Sequence, residues 1–521
     1  MRQNPGPERG TVVTRKAFDR ALHLLEGHAA DEGRLRPETV AWFHRTRSLR
    51  PSRIEHLFDF RLGTVPGMSE RRELCVIGAG TAGFSAAEAA RAQGRDVILV
   101  AGDEELGGTC ILRGCMPAKT VLAATQRGGE VEKAHQVGVE TTVVHVDLPA
   151  IVRRKRALVD YFADDRVHEL ENYPLVRGDA RFVAGDTIDV RGRRIVAERF
   201  VIATGAATTA PPIPGLDAVP TVTSAEVMEM THAPRSVAIV GGGPIGCAFA
   251  QFFARLGTAV TLLQDASELL RADDADVGRA VREALARDGV TVLLDAGVNA
   301  AKRDGGAALL DVRTPGGSRD VRCDVMLIAT NRRPRVAALD LAAANIDGDE
   351  AHGISVDTML RSVSNPRVYA AGDVLGRRAL VHSAAYAGRL AATNAFAAQP
   401  LEAQWDRWES HSLYTQPQVA VAGLTERTCR ERGLDIRVAT LPASEVGKAL
   451  VSEQTDGFVK MLALRDGRVV GITLVLDDAI DVIGEAIALI DRGATAREIA
   501  EMPHLHPTMS ELIARAAERL A

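Results

Sequence analysis

The sequence predicts an α/β fold with two Rossmann-like dinucleotide-binding units followed by a separate C-terminal α+β domain. Short β-branched runs alternate with Ala-rich helical runs from Leu74 onward, the pattern of βαβ units with a parallel sheet. Two of these runs, Leu74-Cys75-Val76-Ile77 and Ser236-Val237-Ala238-Ile239-Val240, lead straight into glycines. After about residue 400 the pattern changes to hairpins and then to helical periodicity.

Taken in chain order, residues 1–70 read as an appendage, with an amphipathic segment at Ala17 to Glu26 and an Arg-rich stretch at Arg45 to Arg53. A solvated linker or a helix packed on the body accounts for both. The first unit opens with Gly78-Ala79-Gly80-Thr81-Ala82-Gly83 ahead of a small-residue helix, Phe84 to Gln93. Gly78 suits a tight turn, Gly80 lets the backbone approach a pyrophosphate and Gly83 lets helix pack on strand. The helix N-terminus then offers N–H groups and a positive dipole to the phosphates. Gly241, Gly243 and Gly246 repeat the arrangement in Gly241-Gly242-Gly243-Pro244-Ile245-Gly246. One such hexapeptide also marks ordinary turns; two, each after a strand and before a helix, point to dinucleotide binding.

The acid that would hold a ribose diol at the end of the second strand is missing from both units. In the first, Val97 to Val100 runs into Ala101 and Gly102, which leaves Asp103 or Glu104 as late substitutes. In the second, Thr261-Leu262-Leu263 ends on Gln264, then Asp265. No Arg or Lys follows directly to receive a 2′-phosphate, so NADH is expected ahead of NADPH. The longest uncharged stretch, Ser236 to Ala254, has membrane-spanning length but carries glycines and Pro244 in its middle, so strand, turn and buried helix describe it better. In the C-terminal part, Asp466-Gly467 between Phe458 to Leu464 and Val469 to Leu476 signals a hairpin. Helical periodicity follows from Ile480 to Ile490 and again after His506.

A chain of 521 residues is too long for one core and divides into several domains. Its net charge of -5 gives no global reason to bind nucleic acid or an anionic membrane, and small-molecule partners fit better. Six scattered cysteines are too few for a secreted disulfide scaffold, and no apolar stretch follows the N-terminal basic residues, so a cytoplasmic location is expected.

Cys110 and Cys115 are the closely spaced pair. On a regular helix five residues rise by roughly 7.5 Å, beyond the reach of a disulfide. If they bridge, the backbone is distorted there, for which Gly107, Gly108, Gly114 and Pro117 are suited; otherwise they are two buried thiols.

The run Gly107-Gly108-Thr109-Cys110-Ile111-Leu112-Arg113-Gly114-Cys115-Met116-Pro117-Ala118-Lys119 resembles the redox-active motif of the pyridine nucleotide-disulfide oxidoreductases, the family of dihydrolipoyl dehydrogenase, glutathione reductase and mercuric reductase. The resemblance spans about residues 72–518. It includes Gly178-Asp179-Ala180-Arg181-Phe182, Ala203-Thr204-Gly205 before Pro212-Ile213-Pro214-Gly215, Tyr369-Ala370-Ala371-Gly372-Asp373 and His504-Leu505-His506-Pro507-Thr508-Met509-Ser510-Glu511.

It implies that the first glycine loop holds FAD, together with Gly108, Thr109, Lys119, Ala180, Thr204, Gly205, Asp373 and, as the substitute acid, Asp103. The second loop, with Gln264, would hold NAD(P)H. It also implies a homodimer joined through the C-terminal domain. The implied division is an FAD-binding domain in two parts, 71–214 and 336–400, an NAD(P)-binding domain, 215–335, and an interface domain, 401–521. In the implied chemistry Cys115 is the flavin-facing thiolate, Cys110 the interchange thiol and Lys119 a cation beside the flavin. His506 and Glu511 form the acid–base pair supplied by the other subunit, with His504 in support. The implied substrate is a small disulfide or dithiol, with no resident metal. Such chemistry needs a thiolate attacker and a proton for the departing thiolate, which an imidazole oriented by a carboxylate supplies.

Some features depart from the pattern. Ala384-Ala385-Tyr386-Ala387-Gly388 resembles mercuric reductases, but no cysteine follows Cys429 to capture a soft metal, so a disulfide or dithiol substrate is expected. Ala248 stands where relatives carry a glutamate that faces the lysine equivalent to Lys119, and Asn331 stands where glycine is usual. A specialised branch is the expectation. The competing class is a flavoprotein that senses redox state or binds a soft metal without turnover.

Overall fold

A computed structural model describes residues 70–142, 145–330, 332–377, 379–405 and 410–521. The appendage, with its amphipathic and Arg-rich segments, and Asn331 lie outside the described residues.

The first layer is built from β1 (Glu70–Ile77), α1 (Thr81–Ala92), β2 (Val97–Ala101), α2 (Gly108–Leu112), α3 (Cys115–Lys133), α4 (Leu148–Leu170), β3 (Leu175–Arg177), β4 (Arg181–Ala184), β5 (Thr187–Val190) and β6 (Arg193–Ile202). The strand order is β3-β2-β1-β6-β5-β4. β1 pairs in parallel with both β2 and β6. β2, Val97-Ile98-Leu99-Val100-Ala101, is buried along its whole length, which is why it reads as a continuous apolar run rather than an alternating one. α1 begins three residues before the expected start, at Thr81, because the glycine loop itself closes onto the helix: Phe84 N–H donates to Gly80 O at 2.9 Å.

The chain leaves this sheet through β7 (Ala206–Thr208), β8 (Thr221–Val222) and α5 (Ser224–Val227), and forms the second Rossmann-like unit. That unit comprises β9 (Ser236–Val240), α6 (Pro244–Ala254), β10 (Ala259–Leu263), α7 (Ala275–Arg287), β11 (Thr291–Leu293), the antiparallel β12 (Gly297–Asp304), β13 (Ala307–Thr314) and β14 (Gly317–Cys323), then β15 (Val325–Ile328). Its sheet runs β11-β10-β9-β15-β8. β16 (Arg332–Pro334) brings the chain back, pairing antiparallel with β7 from Ala206↔Pro334 to Thr208↔Arg332.

After β17 (Gly348–Asp349) and β18 (Gly353–Ile354), β19 (Val368–Ala370) rejoins the first sheet. The ten-residue β6 serves three partners: it pairs in parallel with β1 on one side, and on the other its first half pairs antiparallel with β5 and its last residues in parallel with β19. α8 (Val381–Phe396) then packs on α1, so closely that a Cβ added at Gly388 would lie 2.1 Å from Ala82 O.

The C-terminal part contains β20 (Ser410–Leu413), β21 (Gln418–Gly423), α9 (Glu426–Glu431), β22 (Ile436–Pro442), α10 (Gly447–Val451), β23 (Phe458–Leu464), β24 (Val469–Leu476), α11 (Ala479–Asp491), α12 (Ala496–Glu501) and α13 (Glu511–Glu518). Its sheet is antiparallel, in the order β20-β21-β24-β23-β22, and the β23–β24 hairpin turns at the expected Asp-Gly, with Gly467 at φ +89°. Lys460 on β23, 2% exposed, ties this part to α7. Its Nζ lies 2.5 Å from Asp276 Oδ2, 3.3 Å from Asp274 Oδ2 and 2.6 Å from Glu426 Oε1. No helix among the described residues is long and apolar enough to cross a membrane.

Candidate functional site

Both cysteines sit at a break between two helices. Cys110 lies in the short α2, and Cys115 is the first residue of the nineteen-residue α3. Between them Gly114 takes φ -134°, ψ -107°, and its Cα packs against α2 so closely that a Cβ would meet Thr109 O at 2.8 Å. A regular helix would carry the two side chains apart; this break is the distortion that a bridge between them would require. Both are free thiols, half-buried, and hydrogen-bonded to one another.

The two sulfurs are not equivalent. Cys115 is lowered to about 6, first by the hydrogen bond from Cys110 and then, against the cost of burial, by the Lys119 cation; a hydrogen bond from its own backbone N–H lowers it further. A thiol at a helix N-terminus is ordinarily acidified in this way. Cys110 is pushed up, by donating that hydrogen bond and by burial. The pair is a thiol donating to a thiolate.

Lys119 lies one turn into α3, and its Nζ sits over the Tyr414 ring, 4.4 Å from the centroid. No salt bridge joins it to a carboxylate among the described residues. Ala248 is buried and apolar at 6% exposure, so the glutamate usual in relatives is absent there, and Lys119 instead meets an aromatic face. Tyr414, between β20 and β21, is a site residue that the sequence did not point to.

The glycine loop lies beside this break. Gly108 adopts φ +73°, and a Cβ there would stand 2.7 Å from Gly80 Cα. The two glycines face each other as bare backbone at the N-terminus of α1, a cradle that side chains would fill and that a pyrophosphate fits. Gly78 and Gly83 close the turn, a Cβ on Gly83 falling 1.8 Å from Gly78 O. Thr109 is exposed at the start of α2, and Ala180 is buried in the turn between β3 and β4. Thr204 Oγ1 donates to Arg335 O at 2.7 Å, and Gly205 takes φ +74° with open space around its Cα.

Asp373 arrives from the far part of the chain. Gly372, at φ +81°, packs on Ala82 of α1, which sets the carboxylate beside the glycine-loop helix. Burial raises the Asp373 carboxyl, opposed by Arg332 at 3.7 Å. Arg332 Nε, on the guanidinium that faces Asp373, is buried without a hydrogen-bond partner among the described residues, as is Thr330 Oγ1 next to Gly241 of the second loop. A polyhydroxy ligand beside these groups satisfies such atoms. The residues present therefore fit FAD.

At the outer end of that sheet, Asp103 is ion-paired with Arg191, and Glu104 with Arg113 at 2.7 Å and Arg335 at 3.3 Å. Asp179 Oδ1 stands 3.2 Å from where a Gly102 Cβ would be. In the second unit Gly241 and Gly246 close the turn as their counterparts do, while Gly243 has nothing near it. Gln264 is 5% exposed and turns inward: its Oε1 accepts from Gly242 N–H at 2.8 Å and its Nε2 donates to Glu268 O at 3.3 Å.

His506 and Glu511 meet as the motif implied. His506 Nδ1 and Glu511 Oε1 are 3.0 Å apart, and the other carboxylate oxygen accepts from Thr508 N–H at 2.9 Å. Those two bonds, His506 first, hold the Glu511 carboxyl below its ordinary range. The imidazole is 74% exposed, and within one chain no hydrogen bond among the described residues ties it to Cys110 or Cys115. His504 is buried beneath it, bonded to Met502 O at 2.9 Å and Glu485 Oε1 at 2.8 Å. No group of three or more His, Cys, Asp or Glu among the described residues is arranged to hold a metal ion.

Residues 72–388 match the model of the pyridine nucleotide-disulphide oxidoreductase family, and residues 410–517 match the dimerisation domain of the same family. A mercuric reductase of Streptomyces lividans is 34% identical, over 86% of this chain and 95% of that protein. A dihydrolipoyl dehydrogenase of Bacillus subtilis (strain 168) is 31% identical, over 84% of this chain and 96% of that protein. Among solved structures, the HOCl-induced flavoprotein disulfide reductase RclA from Escherichia coli superposes with a TM-score of 0.76 at 28% identity, over 86% of this chain and all of that one.

Proposed function

The chain belongs to the pyridine nucleotide-disulphide oxidoreductases, FAD-dependent and NAD(P)H-linked, and we propose that it works as an NADH-driven reductase of a small disulfide. The observation that carries this reading is the asymmetry of the thiol pair, Cys115 acidified and Cys110 protonated, at a helix break beside a glycine cradle.

FAD, when bound, carries the two electrons of the nicotinamide to the Cys110–Cys115 disulfide. Gly78, Gly80, Gly83 and Gly108 would cradle its pyrophosphate, Thr109, Ala180, Thr204 and Gly205 would line its path, and Asp373 would accept a ribityl hydroxyl. Gly241, Gly243 and Gly246 would take the nicotinamide dinucleotide, with Gln264 bracing that loop. Asp265 in place of a basic residue at that strand end favours a free ribose diol, hence NADH.

In the open dithiol state Cys110 Sγ passes its proton to the neutral imidazole of the partner subunit's His506 and attacks one sulfur of the substrate. A mixed disulfide forms, the substrate S–S bond breaks, and the departing thiolate takes a proton from the partner subunit's His506, which the partner subunit's Glu511 orients. The Cys115 thiolate then attacks Cys110 Sγ, restores the internal disulfide and releases the second substrate thiolate, which takes its proton from the solvent. The sum is NADH, a proton and a disulfide giving NAD⁺ and two thiols. The reverse direction, dithiol oxidation, uses the same steps backwards.

A second reading, reduction of a thiophilic metal ion at the same pair, is favoured by the relatives named mercuric reductase, at 32–34% identity. Anaerobic reduction with NADH followed by a panel of lipoamide, glutathione disulfide, other low-molecular-weight disulfides and Hg(II) separates the two. Reoxidation by a disulfide and not by Hg(II) is expected. Reoxidation by Hg(II) alone overturns the disulfide reading, and reoxidation by neither leaves a sensor.

A further inference from the structure

We propose that Tyr414 is the positioning residue of the thiol pair: its ring holds the Lys119 cation beside Cys115 while leaving the charge of that cation uncancelled.

Lys119 Nζ sits 4.4 Å from the Tyr414 ring centroid. The same ring lies close enough to Cys115 for their charges to interact, and Lys119 in turn acts on Cys115 through space. Tyr414 is anchored where it is. It is half-buried, its carbonyl accepts from Gln126 Nε2 at 3.4 Å, and its ring packs in the apolar cluster that contains Ala248 and Ala118. Ala248 presents only a methyl to that cluster, and no salt bridge joins Lys119 to a carboxylate among the described residues.

The physical difference between a ring and a carboxylate is the reason to care. A carboxylate beside an ammonium fixes its position and also screens its field, so that a nearby thiolate feels a dipole. An aromatic face fixes the position through its quadrupole and leaves a net positive charge. The thiolate at Cys115 then feels the full cation. The groups acting on Cys115 are Cys110 from α2, Lys119 from α3 and Asp373 from the turn before α8; Asp481 of α11 acts on Tyr414. Only Lys119 among these four is a cation, so the thiolate depends on where Lys119 stands.

The inference rests on the proposed roles of Cys115 and Lys119 but not on any substrate. Its test is the pH dependence of site-specific alkylation of Cys115 by iodoacetamide in the reduced holoenzyme, read by mass spectrometry. Three variants are compared: Tyr414→Phe, Tyr414→Leu and Ala248→Glu. Tyr414→Phe keeps the ring, and the midpoint is expected to stay. Tyr414→Leu frees the lysine and Ala248→Glu neutralises it, and each is expected to raise the midpoint by on the order of one pH unit. FAD absorbance per chain verifies that each variant is folded, and Ala248→Glu acts from another element should Tyr414→Leu not fold. An unmoved midpoint in the folded Leu and Glu variants overturns the proposal, as does a Phe variant shifted as far as the Leu variant, which would assign the effect to the hydroxyl. Midpoints that move as stated in an enzyme that reduces no disulfide would sink the disulfide reading and leave this one standing.

Discussion

An unassisted cysteine near neutral pH is mostly protonated and a poor nucleophile. Cys115 escapes this through three local donors of positive potential: the Cys110 S–H, the Lys119 ammonium and the N-terminus of α3. A depressed value means the thiolate is present above about pH 6 and is lost as pH falls through it, so alkylation of Cys115 in the reduced protein should rise between about pH 5 and pH 7 and stay flat above. Cys110, pushed up, should alkylate only in more alkaline solution; equal profiles for the two would contradict the assigned roles. Cys110→Ser and Cys115→Ser should each lower turnover of any disulfide by on the order of 10³-fold or more while FAD stays bound. His506→Ala should cost about 10²-fold or more in kcat/KM, and Glu511→Ala less, because it removes only the orienting acceptor. The residues named in these predictions were legible in the sequence, since glycine, proline and cysteine at fixed spacing encode backbone geometry and reactivity together. Tyr414 was not: a missing glutamate at 248 implies a substitute, but nothing local says that the substitute comes from a strand end nearly three hundred residues along the chain from Lys119.

The helix break is the element on which the thiols depend, and it depends in turn on backbone without side chains. Gly108→Ala would place a Cβ 2.7 Å from Gly80 Cα and strain a residue at φ +73°, so the variant should lose FAD even if it folds. Flavin absorbance per chain after purification checks this, and a fully yellow variant would show that the two loops can part. β2 was legible because a strand buried on both faces reads as an unbroken apolar run. Gln264 was legible only as an anomaly at a strand end; its engagement with Gly242 N–H became visible once the loop's geometry was known. Asp103 and Glu104 are likewise drawn into ion pairs with arginines that arrive from distant strands, which periodicity does not reveal.

At the scale of the molecule, Lys460 joins the C-terminal sheet to α7 through three carboxylates. Burial opposes its charge, but the hydrogen bonds it donates to Asp276 and Glu426 and the field of Asp274 outweigh that and raise its pKa. Lys460→Met would leave those carboxylates without their cation and should cost roughly 3 kcal/mol, read as a lower denaturation midpoint. The proposed sharing of sites across a dimer has its own test. A hybrid of one Cys115→Ser subunit and one His506→Ala subunit has one intact site out of two, so co-expression should restore activity that neither variant shows alone; no recovery would place His506 outside the partner's site.

Finally, β7 and β16 lie side by side as an antiparallel ribbon, so the chain leaves the first sheet and re-enters it at one spot. Everything between them resembles a parenthesis in a sentence: the grammar on either side closes without it, as β6 and β19 already pair directly. A chain in which residues 209–331 are replaced by a short Gly-Ser turn should therefore keep its flavin yet be deaf to NADH, and should denature earlier than the whole protein, because the excised lobe also supplies Asp274 and Asp276 to Lys460 and shares a core with Val121, Leu122 and Val475.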